Sequence, residues 1–221
     1  MAISVIKAKN QALQEYVVLG GTFDPVHNGH LITANALADK LGYDCIYLMP
    51  CGDAYHKEGS SSALHRLKML NLALLHEHKL QVDDQETKRS GATYTADTLK
   101  YIRQQLGPNA HLVWVMGSDA AQSLTRWHNW QALFSLANIL VVARNNELPA
   151  DLSDWPATCY TDINEFKKQP NGCYLLTVLP PVAVSSTQIR LQVATQETVD
   201  NHVPQSVIDY IEQHGLYRGE N

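Results

Sequence analysis

The residues best suited to chemistry are two histidines, His27 and His30, in the stretch Gly-Gly-Thr-Phe-Asp-Pro-Val-His-Asn-Gly-His-Leu at positions 20–31. A short apolar run at 16–19 precedes this stretch, and apolar residues recur at helical spacing after it. We therefore predict a strand, a glycine-containing turn and a helix whose first turn carries both imidazoles on one face. Because helix N-termini present N–H groups and the positive end of the dipole, the pattern predicts an anion site, most naturally for a phosphate.

Zinc binding is the alternative role for the two histidines. A histidine pair three residues apart could supply two ligands, but no cysteine or carboxylate lies at a spacing that completes a tetrahedral set. Asp24 is a single carboxylate and is insufficient. The sequence therefore favours the anion and predicts no metal site built by the protein itself.

Length, composition and charge limit the class of protein. The chain has 221 residues, 45% of them hydrophobic and 18% charged, which is typical of a globular domain with a sizeable core. We expect a polar lead-in at 1–14 and a single domain at 15–221, with a helical C-terminal part from about residue 185. A net charge of −5 argues against a nucleic-acid partner, because general nucleic-acid binders are usually basic.

The expected location follows from apolar runs and cysteines. No apolar run approaches the ~20 residues that span a bilayer, and the N-terminal stretch lacks the apolar core of a signal peptide. The four cysteines form no CxxC pair, and a chain of this size needs no disulfides. We expect a cytoplasmic protein with no membrane partner; the sequence leaves a homo-oligomer open.

Apolar runs and helical patterns alternate along the chain. This alternation predicts an α/β fold, Rossmann-like and doubly wound, with a mostly parallel sheet of about five to six strands and helices on both faces. The predicted strands are 16–19, 44–49, 80–82, 111–116, 139–143 and 173–179. The predicted helices after the first are 63–75, 93–106, 129–136, 186–193 and 205–214.

Polar groups follow several of these strands. They include residues 20–30, a loop with His56 and Lys57, residues 117–119, and Arg144. In parallel sheets, ligands collect beyond the carboxyl ends of the strands at the point where the strand order reverses. We therefore expect these groups to face one crevice.

Two motifs identify a resemblance. Residues 20–31 resemble the GGTFDPxHxGH signature of the nucleotidyltransferase superfamily, whose members carry HxGH at the first strand–helix turn. Residues 184–190, Val-Ser-Ser-Thr-Gln-Ile-Arg, resemble the SSTxIR motif of the same enzymes. By itself the second motif is also a helix N-cap. The two signatures occur in the right order, about 155 residues apart, which makes chance resemblance improbable.

Within that superfamily, the chain is similar to the bacterial nicotinate-nucleotide adenylyltransferases from about residue 16 to 217. Residues 92–99, Ala-Thr-Tyr-Thr-Ala-Asp-Thr-Leu, resemble the SYTxxTL segment, whose N–H groups accept the nicotinate carboxylate in the family. Gly117-Ser118-Asp119 matches the GxD element, which implies that Asp119 binds nucleotide hydroxyls. Trp127 matches the aromatic residue that stacks on the pyridine ring, and the alternative is that it is a core residue.

One segment departs from the family pattern. The family commonly has PPHK or PPHR after the second strand, whereas residues 53–57 read Asp-Ala-Tyr-His-Lys and lack both prolines. His56 and Lys57 keep the His-Lys pair. Lys57 and Arg66 are suitable phosphate partners, and each could instead be a solvated surface cation.

The resemblance implies adenylyl transfer from ATP to nicotinate mononucleotide in NAD biosynthesis, giving nicotinate adenine dinucleotide and pyrophosphate. It implies that His27, His30 and Arg190 are catalytic and that Mg²⁺ is bound mainly through the ATP phosphates. The residues expected to bind ATP are Gly20, Gly21, Thr22, Phe23, His27, Gly29, His30, Gly117, Asp119, Ser186, Thr187 and Arg190. The residues expected to bind the mononucleotide are Lys57, Arg66, Tyr94, Thr95, Trp127 and Arg144.

Other activities are compatible with parts of the sequence. Nicotinamide mononucleotide differs from nicotinate mononucleotide by one group and is the hardest alternative to exclude. Pantetheine adenylyltransferases usually have threonine in place of the first histidine, and cytidylyltransferases usually carry an RTEGIST-type motif that is absent here. A silent nucleotide-binding regulator is the alternative from another class, and the intact His27, His30 and Arg190 argue against it.

Overall fold

The computed structural model describes residues 15–52, 61–144 and 151–218. The lead-in at 1–14 lies outside the described residues, so its boundary stays a prediction. In the described ranges, seven strands form one sheet in the order β3-β2-β1-β4-β5-β7-β6, and every pairing is parallel. The strands are β1 (Glu15–Gly21), β2 (Ile46–Pro50), β3 (Leu80–Val82), β4 (His111–Gly117), β5 (Asn138–Arg144), β6 (Thr158–Tyr160) and β7 (Cys173–Leu179).

Helices cover both faces of the sheet, as the alternating pattern predicts. One face carries α1 (Asn28–Leu41), α2 (Ala63–Ala73), α6 (Ile163–Lys167), α7 (Ser186–Ala194) and α8 (Gln205–His214). The other face carries α3 (Thr95–Leu106), α4 (Ser118–Gln122), a 3₁₀ turn (Leu124–Arg126) and α5 (Ala132–Leu136). No helix in the described ranges is both long enough and apolar enough to cross a membrane.

The central strands are apolar throughout because both of their faces are buried. On β1, Val17 packs into the core beneath α1, whereas its neighbours Tyr16 and Val18 pack into the core beneath α3. Val17 pairs with Ile46 of β2 on one side and with Val113 of β4 on the other. The two cores are therefore built by alternate residues of the same strands.

The strand count is higher than the five to six predicted. The extra strand, β6, has three residues, lies at the sheet edge beside β7 and is largely exposed. It lacks an apolar run, so the sequence gives no signal for it. The predicted helix at 129–136 is also shorter, because α5 begins at Ala132 and Asn129 has a left-handed backbone with φ 50°.

The strand order reverses between β1 and β4, which start crossovers in opposite directions along the sheet. The carboxyl ends of these two strands are the glycines Gly20-Gly21 and Gly117. This switch point is where a doubly wound sheet leaves a crevice for ligands.

Candidate active site

A cavity of about 240 Å³ lies at this switch point. It is bounded by the ends of β1, β4 and β5, the start of α1, and the segment that enters α7. Five residues predicted for ATP line it, namely His27, Gly29, His30, Gly117 and Ser186. The remaining lining residues are Leu19, Thr33, Val115, Met116, Val142, Val182, Val184 and Ser185.

The two histidines form one unit at the start of α1. His27 is the N-cap residue, and the N–H of His27 donates to Nδ1 of His30 at 3.3 Å. The two rings are stacked, with centroids 3.7 Å apart and planes 23° from parallel. His27 is 5% exposed, while His30 is partly exposed and meets the edge of Phe23. The predicted shared face is confirmed, and both rings line the cavity.

Gly29 permits the close approach of α7 to the histidines. A Cβ at this position would lie 2.6 Å from Cγ1 of Val184 and 3.0 Å from Nδ1 of His27. The contact with Val184 is too short for a side chain, so Val184 would have to move away from α1 if position 29 carried one. Gly20 has the same function beside Trp114, whose ring would be 2.4 Å from a Cβ.

The second motif forms the N-terminus of α7. Ser185 caps the helix and accepts a hydrogen bond from the N–H of Gln188 at 3.2 Å. The hydroxyl of Ser186 donates to the Pro25 carbonyl at 3.0 Å, and Nη1 of Arg190 donates to the Asp24 carbonyl at 2.7 Å. The fold therefore joins two motifs that lie 161 and 166 residues apart at these contacts.

Asp24 is a residue whose importance the sequence did not reveal. Its carboxylate is 3% exposed and accepts from the N–H of Ser61 at 3.1 Å and from the hydroxyl of Tyr217 at 2.5 Å. Burial, followed by the contact with Asp24, raises the pKa of Tyr217 above its usual range. The Asp-Pro dipeptide predicts a turn, but no local signal connects it with a tyrosine 193 residues away.

Arg66 is predicted to contact a phosphate, and the structure places it beneath the loops instead. The side chain is 1% exposed. Its guanidinium donates to the carbonyls of Thr22, Ser61 and Gly52 at 2.9, 3.1 and 2.8 Å. A further contact reaches Sγ of Cys51 at 3.4 Å. The group therefore binds the ends of β1 and β2 to the start of α2.

Three of the residues predicted for the mononucleotide, Tyr94, Thr95 and Trp127, lie on the other face of the sheet. Thr95 is the first residue of α3, and Tyr94 is its N-cap residue. The Tyr94 ring is 44% exposed and lies 4.4 Å from the His128 ring, centroid to centroid. Trp127 is half-buried against the core beneath α3. Asp119 is exposed on α4. None of these lines the 240 Å³ cavity.

A buried polar cluster supports the start of α3. The hydroxyl of Thr98 donates to Oε1 of Glu86 at 2.6 Å, and Nη1 of Arg89 approaches the same hydroxyl at 2.9 Å. Thr98 is fully buried and Glu86 is 5% exposed. Burial raises the pKa of Glu86, against the opposing effects of Thr98, Thr93 and Arg89. This cluster fixes the segment that precedes Tyr94.

Two residues predicted to bind the mononucleotide have side chains outside the described part of the chain. Lys57 lies outside the described residues, together with His56. Arg144 ends β5, but its side chain is not among those described. Within the described ranges, no group of three or more histidine, cysteine, aspartate or glutamate residues could hold a metal ion.

Comparison with known proteins agrees with this geometry. A family model described as cytidylyltransferase-like matches residues 18–192. A Chromobacterium violaceum protein named "Probable nicotinate-nucleotide adenylyltransferase" is 39% identical over 208 residues, covering 91% of this chain and 97% of its own. A Neisseria meningitidis serogroup C protein with the same name is 40% identical over 205 residues, covering 90% and 96%.

A solved structure shares the fold. Plasmodium falciparum nicotinic acid mononucleotide adenylyltransferase complexed with NaAD superposes with a TM-score of 0.70 at 21% identity, covering 92% of this chain and 97% of its own. The relatives and the family match cover most of the chain. The chain therefore belongs to the cytidylyltransferase-like family and, within it, to the nicotinate-nucleotide adenylyltransferases.

Proposed function

We propose that this chain transfers the adenylyl group of ATP to nicotinate mononucleotide, giving nicotinate adenine dinucleotide and pyrophosphate. The observation that carries the proposal is the cavity in which the stacked His27–His30 pair faces the N-terminus of α7. The names of the relatives agree with this reaction. So does the structure of the Plasmodium falciparum protein, which contains NaAD, the product of the reaction.

The reaction needs charge stabilisation more than proton transfer. An oxygen of the mononucleotide phosphate attacks the α-phosphorus of ATP, and the bond from that phosphorus to the α–β bridging oxygen breaks. The nucleophile is mostly ionised near pH 7, since the second pKa of a phosphate monoester is about 6. No general base is required, and the pyrophosphate leaves with the electron pair of the broken bond. Positioning and electrostatic stabilisation therefore supply most of the rate.

The cavity offers donors to the triphosphate on two sides. In our assignment, His27 and His30 bind the α- and β-phosphates from the start of α1. Ser186, Thr187 and Arg190 bind the β- and γ-phosphates from the start of α7, which has nine residues. The positive ends of both helix dipoles add to these contacts. Gly117, where a Cβ would meet nothing within 4 Å, leaves room for the nucleotide to approach the backbone.

Mg²⁺ is proposed as the cofactor. Asp24, the carboxylate nearest to the histidines in sequence, already accepts hydrogen bonds from Ser61 and Tyr217. This donor set fits an ion that is held by phosphate oxygens and water, which is a common arrangement for Mg²⁺. When bound, Mg²⁺ would offset the negative charge that develops on the departing pyrophosphate.

The mononucleotide is assigned to the surface beside α3. Helix α3 has twelve residues, and the N–H groups of its first turn, near Tyr94 and Thr95, suit the nicotinate carboxylate. Trp127 would stack on the pyridine ring, and the neighbouring Asp119 would accept from hydroxyls of ATP. Lys57 and Arg144 remain predicted to bind the mononucleotide.

Arg66 is proposed to act through the loops and not through a phosphate. Four of its N–H groups are already directed at Thr22, Ser61, Gly52 and Cys51. A guanidinium used in this way fixes the Gly20–His30 turn relative to the loop after β2. We therefore replace the predicted phosphate contact of Arg66 with a positioning role.

Pyrophosphate release tests the proposal. Purified protein with ATP, Mg²⁺ and nicotinate mononucleotide should release pyrophosphate, and the rate with nicotinamide mononucleotide should be lower because an amide lacks the carboxylate charge. Absence of turnover with either nucleotide would overturn the proposal, and ATP binding without product would support a silent regulator. A faster reaction with nicotinamide mononucleotide would reassign the substrate.

The cytoplasm is the proposed location. Cys45, Cys51, Cys159 and Cys173 are free thiols, and the substrates of the proposed reaction are intracellular nucleotides. A reducing compartment maintains thiols in this state.

A further inference from the structure

We propose that Tyr217, close to the C-terminus, is a positioning residue for adenylyl transfer. The inference rests on the proposed function, because it assigns Tyr217 to the geometry of the triphosphate site. Its basis is a chain of contacts in which the Tyr217 hydroxyl donates to the Asp24 carboxylate, and Asp24 in turn accepts from Ser61 and from Arg190, which lies on the helix assigned to the triphosphate.

Asp24 joins segments that are remote in sequence. Its Oδ1 accepts from Tyr217 at 2.5 Å, its Oδ2 accepts from the Ser61 N–H at 3.1 Å, and its backbone carbonyl accepts from Arg190 at 2.7 Å. Ser61 lies just before α2 and follows the segment that contains Lys57. Arg190 lies on the helix assigned to the triphosphate. One residue therefore connects the start of α2, the helix assigned to the triphosphate and the segment after α8.

Tyr217 is built into this position by the end of α8. Helix α8 ends at Gly215, which has a left-handed backbone with φ 59°, and Leu216 returns a hydrogen bond to Ile211 at 3.0 Å. Tyr217 itself has φ 61°, an unfavourable conformation for a bulky residue. Such a backbone persists only when the surroundings hold it. Here the hydroxyl reaches Asp24 and lies 4.0 Å from Sδ of the buried Met69.

The direction of the contact explains why a hydroxyl is needed. An ionised carboxylate only accepts hydrogen bonds, and both oxygens of Asp24 face donors. Without the Tyr217 hydroxyl, Oδ1 would be a buried acceptor that lacks this donor. Asp24 would then lose one of the two side-chain contacts that fix this residue, and the backbone carbonyl that accepts from Arg190 would be held less firmly.

Tyr217→Phe tests the proposal because it keeps the ring and removes only the hydroxyl. We expect kcat for pyrophosphate release to fall about tenfold, with the KM for nicotinate mononucleotide changed less than twofold. The matched control is Tyr210→Phe on α8, the helix that precedes Tyr217; the Tyr210 hydroxyl contacts Nδ1 of His65 at 3.0 Å and not Asp24. The control should keep kcat within twofold of the wild type.

Asp24→Asn provides the second variant and a double-mutant cycle. Asparagine must direct an amide donor at either Ser61 or Tyr217, so we expect a similar tenfold loss of kcat. If both residues act through one contact, the double variant loses about tenfold and not a hundredfold. Assays well below the melting temperature exclude partial unfolding, because a merely structural loss recovers on cooling.

The outcomes separate this inference from the proposed function. A wild-type protein that releases no pyrophosphate removes the proposed function itself. An active wild type with an unaffected Tyr217→Phe variant, or additive losses in the cycle, overturns only the role of Tyr217. A persistent loss of kcat with a non-additive cycle supports it.

Discussion

The strands of the parallel sheet all end on one side, here called the carboxyl edge, and all begin on the opposite side, here called the amino edge. The two sides carry the same residue types in different surroundings. At the carboxyl edge, His27 and His30 line a cavity and Arg66 holds the loops around it. At the amino edge, His111 is 1% exposed and Arg103 holds another set of loops. Residue type and burial therefore do not distinguish a functional edge from a structural one. The two edges are distinguished by what these residues face.

The two arginines make the comparison direct. Arg66 donates to three carbonyls and one sulfur around the active-site loops. Arg103 donates only to carbonyls, and these belong to Leu136, Gly107, Pro108, Ala110 and Pro170. Each guanidinium uses its fixed fork of donors to join separate chain segments. The segments that Arg66 joins border the proposed site, whereas those that Arg103 joins lie at the opposite end of the strands.

The histidines of the two edges also differ in what they face. Nδ1 of His111 donates to the Gln169 carbonyl at 2.7 Å, so its Nε2 accepts from the Tyr43 hydroxyl at 3.3 Å in the neutral tautomer. Burial lowers the pKa of His111 to about 4. Such a residue stabilises the fold as a neutral ring. His27 and His30 are stacked on each other and oriented toward the cavity.

The largest expected effect comes from His30→Ala. We predict that kcat for pyrophosphate release falls by ~10²- to 10³-fold, the usual loss when one charge-stabilising donor is removed. His111→Gln is the matched change at the amino edge and should keep kcat within twofold at pH 8. A folded His30→Ala variant with full activity would remove His30 from the site and would erase the contrast between the edges.

The sequence predicted the features that depend on neighbouring residues. The parallel sheet, the shared face of His27 and His30, and the N-cap at Ser185 all follow from local spacing. The burial of Arg66 does not follow from local spacing, because an arginine near the start of an amphipathic helix is expected to be exposed to solvent. Its acceptors are backbone carbonyls of distant loops.

Long-range contacts and short elements are also features that the sequence does not predict. The Asp24–Tyr217 hydrogen bond spans 193 residues, and only the folded chain brings these side chains together. The edge strand β6 is too short for a periodic pattern. The hydrogen bond and the edge strand were not predicted because tertiary packing, and not local propensity, determines both.

The second prediction concerns acid stability at the amino edge. The pKa of His111 is about 4 when folded and about 6.5 at its ordinary value, so the unfolded chain takes up the proton first as the pH falls. Stability from this residue is complete above pH 6.5 and is lost as the pH falls toward 4. The loss is about 3 kcal/mol in the free energy of unfolding.

Denaturant titrations of the wild type and His111→Gln between pH 7.5 and 4 measure this loss. The wild type should lose more stability across the range than the variant, since other groups titrate equally in both. Parallel curves of the free energy of unfolding against pH for the two proteins would contradict the prediction. His111 would then make no pH-dependent contribution to stability.

The third prediction compares the arginines through Arg66→Lys and Arg103→Lys. A lysine keeps the charge but cannot reach several carbonyls at once, so each variant should lose about 2 kcal/mol in the free energy of unfolding. Only Arg66→Lys should also lower kcat/KM, by about tenfold, because its loops border the site. Steady-state kinetics beside thermal melts separate the two effects. An equal loss of kcat/KM in both variants would show that the arginines act only on stability.

The smallest expected effect tests which of two tryptophans after β4 belongs to the proposed site. Trp127 and Trp130 are three residues apart on the crossover from β4 to β5, and both pack on the core beneath α3. The Trp130 ring meets the edge of Phe134, which contacts Trp155 in the direction of the amino edge. Trp127 lies closer in the chain to the carboxyl end of β4.

Trp127→Ala should therefore raise the KM for nicotinate mononucleotide by about three- to tenfold, since aromatic stacking contributes about 0.5–1.5 kcal/mol. Its kcat should change less than twofold. Trp130→Ala should lower the melting temperature more and leave that KM unchanged, because its partner is Phe134. Initial rates at varied mononucleotide and saturating ATP distinguish the two. If both variants alter the KM alike, the functional edge extends past Trp127 into the crossover; if neither does, Trp127 belongs to the core and the pyridine ring stacks elsewhere.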